Sequence, residues 1–198
     1  MDNIKTLEGI GYEGNVKICI KAGKKTLLSK TIHNNGTTNL FRFLANCLKG
    51  DFRSDMLPCR IRLFNRSYTN NEDDPAKADT WKFNEDYGIC PYIYIATSAV
   101  TYDTSKGTAQ TKYVFRIPYS QITETEIYKL ALYSKKTSNS DTDKYAYIGL
   151  TDYDDETKQY IWKPLILSTD SKKYALEIEW TLEVKNQDTL TTNNTTEN

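Results

Sequence analysis

At 198 residues, with 26 Lys and Arg against 26 Asp and Glu, the chain is long enough for one domain with a substantial core and carries no net charge. That balance supplies no global field for nucleic acid, acidic substrates or a membrane surface, so a partner is expected to be met through neutral or local contacts. The start MDNIKTLEGIGYEG has no basic region leading into an apolar run. No later segment approaches the roughly 18 apolar residues of a membrane span, so a soluble chain without a signal peptide is expected.

Strand signals begin early. In NVKICIK (15–21), Val16, Ile18 and Ile20 alternate with Lys17, Cys19 and Lys21, which is the period-2 pattern of a strand with one buried face. KAGKK supplies a turn and TLLSKTIHN a second strand, giving a hairpin. The next segment, IHNNGTTNLFRFLANCLKGD (32–51), changes period. Asn34, Asn35 and Gly36 break the strand, Thr37 or Thr38 is placed to cap a helix, and Gly50 stands where a left-handed residue would end it. The predicted helix runs from about 38 to 49, with Leu40, Phe41, Phe43, Leu44, Cys47 and Leu48 on one face and Arg42, Ala45, Asn46 and Lys49 opposite. So short a helix is marginal alone, so its apolar face is expected to plug the core.

Pro58 opens another strand, CRIRLFN, with Ile61 and Leu63 alternating with Arg60 and Arg62. Then RSYTNNEDDPAKADTWKFNEDYGICP (66–91) is polar and rich in turn signals. Loops beyond roughly 12 to 15 residues are uncommon unless functional or disordered, so 65–91 is read as a contact loop with Trp81, Phe83 and Tyr87 as apolar anchors. Strand-like runs resume at 92–100 and 112–119, separated by TYDTSKGTAQ. A turn or one helical loop is expected at 120–125. The segment from Glu126 to Ser134 is assigned to a strand on the period-2 spacing of Tyr128, Leu130 and Leu132, although Thr123-x-x-Glu126 resembles a capping box and leaves helix open.

After a hairpin loop at 135–144, YAYIGLTD and QYIWKPLIL read as strands joined by DYDDETK. ALEIEWTLEVK (175–185) alternates without exception: Leu176, Ile178, Trp180, Leu182 and Val184 inward, and a solvated outer face of charged residues and Thr181. Residues 186–198 are nearly devoid of apolar side chains and read as a mobile tail. About eight strands with one helix predict a mainly β chain, an antiparallel β-sandwich or jelly-roll-like domain over 1–185 with the helix packed on it.

Reactive constellations are missing from this reading. His33 is the single histidine and stands at a strand end without a neighbouring nucleophile. Cys19, Cys47, Cys59 and Cys90 lie far apart without a CxxC pair, which favours buried free thiols over a zinc cage or disulfide framework. Asp152, Asp154 and Asp155 with Glu156 are candidate calcium ligands, but they lack the Gly and the distal bidentate Glu of an EF-hand loop, so a solvated hairpin turn is preferred; Glu72, Asp73 and Asp74 carry the same two readings. Carboxylate pairs suited to glycoside hydrolysis are uninformative among 26 acidic residues, and neither GxGxxG nor GxxxxGK[ST] occurs. No catalytic residue and no cofactor are assigned. N-x-S/T matches at Asn35, Asn65, Asn193 and Asn194 have no secretory context. Fifteen tyrosines against six phenylalanines and three tryptophans suit half-buried strands and contact surfaces alike. Tyr12, Tyr68, Trp81, Tyr87, Tyr102 and Tyr153 fall in or near predicted loops, where they either stack on a partner or close the ends of the sandwich.

The order of strand, NxGT, amphipathic helix ending in LxG, Pro and strand in HNNGTTNLFRFLANCLKGDFRSDMLPCRIRLF resembles the front of small β-sandwich structural proteins of tailed bacteriophages. The second half, with EIYKLALYS and the closing strand LEIEWTLEV, is similar in layout. The form I-x-E-x-G-L-[FY] common in those proteins is departed from here, since Lys129 and Ala131 stand at the acidic and glycine positions. The resemblance covers residues 15–64 and 112–185. It implies a non-enzymatic virion component such as a capsid decoration, head fibre, collar or tail appendage, assembled in the host cytoplasm with other virion proteins and with copies of itself. The 65–91 loop and the 186–198 tail would be its contact arms. A carbohydrate- or receptor-binding module, stacking loop aromatics on host glycans, is the alternative.

Overall fold

The computed structural model describes residues 10–22, 24–33, 35–51, 56–66, 73–83, 85–105, 107–135, 144–167 and 175–186. Of the expected tail, Asn186 ends a strand, while residues 187–198, Tyr68, Glu72 and most of the 135–144 loop lie outside them. The described chain is mainly β, with one α-helix.

Five strands form a terminal sheet holding the first and last strands: β1 (Ile10–Ala22), β2 (Lys25–His33), β6 (Thr97–Asp103), β7 (Thr108–Pro118) and β14 (Ala175–Asn186), in the order β2-β1-β14-β7-β6. Every neighbouring pair is antiparallel. A helix-side sheet takes β3 (Asn35–Gly36), β4 (Pro58–Phe64), β5 (Ile93–Tyr94), β9 (Lys129–Ser134) and β10 (Lys144–Gly149), in the order β3-β10-β9-β4-β5 and again antiparallel. Two small ladders complete the set: β8 (Glu126–Ile127) with β13 (Leu165–Ile166), and β11 (Thr151–Asp154) with β12 (Gln159–Trp162).

Alternation dictates the core. Phe115, Ile117, Leu176, Ile178 and Trp180 of the terminal sheet share one buried cluster with Ile61, Leu63, Leu130, Leu132 and Ile148 of the other. The Cα register sets Val16, Ile18 and Ile20 opposite Trp180, Ile178 and Leu176, as their shared period requires. Helix α1 (Thr38–Lys49) has the expected bounds. Leu40 is buried, Phe43 and Leu44 pack against the core, and Phe43 stacks on Tyr145 with centroids 5.6 Å apart. Gly50 has φ +83°, and the Asp51 N–H reaches the Asn46 carbonyl at 2.9 Å, closing the helix as a left-handed residue allows. The Thr37 hydroxyl, expected as a cap, is directed to the carbonyls of Lys144 and Tyr145 at 2.6 and 2.9 Å. It ties the helix to β10.

Several expectations change in detail. The segment 119–134 is a 3-10 turn (Tyr119–Gln121), then β8 and β9, so strand prevails over helix. The turn read over 101–110 shrinks to 104–107, because β6 and β7 continue into it. The run 92–100 divides at Ile95 and Ala96: Ile95 donates to Cys59 of one sheet and Ala96 to Val114 of the other, so the chain changes sheets there.

The largest correction concerns layers. β9 is buried at every residue, on both faces of the strand. A second cluster of Phe64, Trp81, Phe83, Ala131 and Tyr133 covers the outer side of the helix-side sheet. Trp81 and Phe83 of the segment after Asp73 supply that cover.

Candidate interaction surface

The segment expected as a contact arm buries Asp73, Trp81, Phe83, Ile89 and Cys90, while Ala76, Lys77, Asp79, Lys82, Glu85 and Asp86 stay exposed. Lys129 on β9 and Asp73 of the loop form an ion pair in which neither side chain is exposed. The Lys129 ammonium also donates to the Lys82 carbonyl at 2.6 Å, while the Lys82 N–H donates to the Asp73 carboxylate. Two indoles add backbone ties, Trp81 to the Asp74 carbonyl at 2.7 Å and Trp162 to the Asp73 carbonyl at 2.9 Å. Asp73 holds φ +58°, a left-handed conformation that Asp tolerates better than most residues. Gly149 lets the Trp81 ring lie directly on β10: a Cβ there would stand 2.2 Å from the ring. Charge pairing, two indoles and a glycine lock the loop down. Trp81 and Phe83 are buried and Tyr87 packs against them, so these anchors close the fold.

The β11–β12 hairpin behaves differently. Trp162 at its base lies 5.2 Å from Trp81 and 5.9 Å from Tyr128, and beyond it the hairpin is largely exposed. Tyr153 and Tyr160 face each other in register with rings 5.3 Å apart, and both remain about half exposed, as does Ile161. The acidic candidates are consumed by turn chemistry. Asp154 accepts from the Glu156 and Thr157 amides at 2.9 and 3.4 Å, Asp152 pairs with Lys163 at 2.5 Å, and Asp155 stays open to solvent beside Lys158 at 3.9 Å. Hydrogen bonds from Thr157 and Glu156 hold the Asp154 carboxyl below the usual range, and Lys163 does the same for Asp152. Among the described residues, no three His, Cys, Asp or Glu side chains gather as a metal site.

Apolar exposure of another kind lies on β6. Its first six residues, Thr97 to Tyr102, are all exposed, with Val100 54% and Tyr102 76% accessible. Register explains the direction. Val100 lies opposite Thr111, which lies opposite Leu182; Tyr102 lies opposite Ala109, which lies opposite Val184. Leu182 belongs to the core, so Val100 and Tyr102 stand on the core-facing side of the terminal sheet. Burial decreases along that side, from fully buried Phe115 and Ile117 to half-buried Thr111 and Ala109. The terminal sheet therefore overhangs the helix-side sheet, and the overhang ends in Val100 and Tyr102.

Other singled-out residues are dispersed. His33 ends β2 and is exposed. Cys19, Cys59 and Cys90 are free thiols, and burial pushes the Cys90 pKa up to about 11. Glu177, expected on a solvated face, is buried between Lys21 and Arg116, the latter at 3.0 Å. Burial raises its pKa, yet the hydrogen bonds from Lys21 and Arg116 outweigh that and hold the carboxyl below the ordinary glutamate range. Among the described residues, no helix is long and apolar enough to cross a membrane. What spacing missed is Lys129 as a buried cation; its signal was a lone lysine within YKLALY. No family model, no curated protein and no solved structure matches this chain.

Proposed function

We propose that this chain is a non-enzymatic structural protein of a tailed-bacteriophage particle, a β-sandwich acting through repeated contacts with other virion proteins and with copies of itself. The overhang carries the reading: Val100 and Tyr102 present apolar surface from the end strand of a sheet rather than from a cleft. Supporting it are the two antiparallel sheets that share one core and the helix packed on that core.

Light scattering across a concentration series of the full chain tests this. A defined oligomer is expected. A strict monomer that binds sugars on a glycan array would replace the reading with the carbohydrate- or receptor-binding one, which the exposed Tyr153 and Tyr160 pair favours as a stacking platform.

A further inference from the structure

An unpaired strand edge invites another strand, and proteins blunt such edges by shortness, lysine, proline or a bulge. Among the described residues, the two large sheets have four edges, and three of them are blunted. β3 and β5 are two residues long. β2 carries Lys25 and Lys30, and its ladder with β1 shifts register at Ile20 and Lys21. β6 has none of these devices: it is seven residues long, TSAVTYD, with regular pairing to β7, no lysine and no proline, and its sole charge is Asp103 at the end.

We propose that β6 is a homotypic pairing edge, at which two copies of this chain join antiparallel about a twofold axis at Val100 and merge their terminal sheets into one. The assembly reading above supplies the context on which this rests. Self-complementarity argues for a second copy as the occupant. A twofold at the strand centre sets Val100 against Val100 of the second copy, Ala99 against Thr101, Ser98 against Tyr102 and Thr97 against Asp103. No like charges meet, and Asp103 faces a hydroxyl. The apolar pair falls on the core-facing side, where each overhang would extend the cover of the other. A strongly charged strand would find nothing to complement along the first six residues.

The test uses the full chain and two variants. Val100→Lys puts a charge on the edge and is expected to give a monomer at the highest concentration, with an unchanged circular dichroism spectrum, where the parent chain is a dimer that dissociates on dilution. Val100→Cys is expected to form a disulfide-linked pair under mild oxidation, because directly opposed Cα atoms about 4.5–5.5 Å apart suit a disulfide. Lys30→Cys on the other edge is expected to stay unlinked. A parent monomer throughout, with no linked Val100→Cys species, overturns the edge. An oligomer unchanged by Val100→Lys also overturns it while leaving assembly through another surface in place. A β6 dimer that binds sugars and no particle protein supports the edge and overturns the assembly reading.

Discussion

Two segments of this chain look alike on paper and end in opposite places. NEDDPAKADTWKF and DYDDETKQYIW both combine paired aspartates, lysines and aromatics, yet the first brings Asp73 into full burial and the second keeps its aspartates in water. The difference comes from what waits on the sheet. Lys129 projects from β9 toward the first segment and supplies a buried counter-charge, whereas the second segment pairs Asp152 with its own exposed Lys163. Local composition fixes neither outcome; the partner does.

The comparison breaks most sharply at Lys129. Lys129→Met leaves Asp73 buried without its cation and should cost about 3–5 kcal/mol in urea unfolding. Adding Asp73→Asn removes the orphan charge, tolerates the left-handed backbone and should recover part of that loss. Gly149→Ala drives a methyl into the Trp81 ring and should cost about 1–3 kcal/mol, with faster proteolysis within 73–91 and altered tryptophan fluorescence.

An intermediate case sharpens the contrast through pH. Glu177 has a folded pKa below its unfolded one, so its contribution is present at neutral pH and is lost as pH falls through the folded value. Glu177→Gln should therefore lower stability at neutral pH and flatten its acid limb, measured as thermal midpoint against pH. Smallest is Lys163→Ala, which removes an exposed pairing and should leave the urea midpoint unmoved.

Elements whose pattern is set by their own residues were legible. The helix bounds, Gly50 and the inward row of β14 follow from periods of 3.6 and 2. Hidden features arise where distant segments meet. Arg60 and Lys129 alternate with inward-facing residues of their strands, yet both are buried, Lys129 beneath a segment of loop-like composition. Arg60 is accommodated by the Ser134 carbonyl at 2.9 Å and by the Tyr92 ring at 4.1 Å from its centroid, partners 74 and 32 residues away. The acidic turn was read as a turn because Asx chemistry is local. The β6 edge escaped because nothing in TSAVTYD tells that it ends its sheet among the described strands.

One pairing bears on mechanics. β1 and β14 run antiparallel over twelve residue pairs, with Ile10 beside Asn186. A load applied through those two residues would pull from one end of the ladder, parting its rungs in succession like a zip rather than shearing them together. Force spectroscopy through these attachment points should record low, gradual opening. A part that bears tension in a particle would then have to carry it through its flanks, across the sheets, rather than along the line joining those two residues.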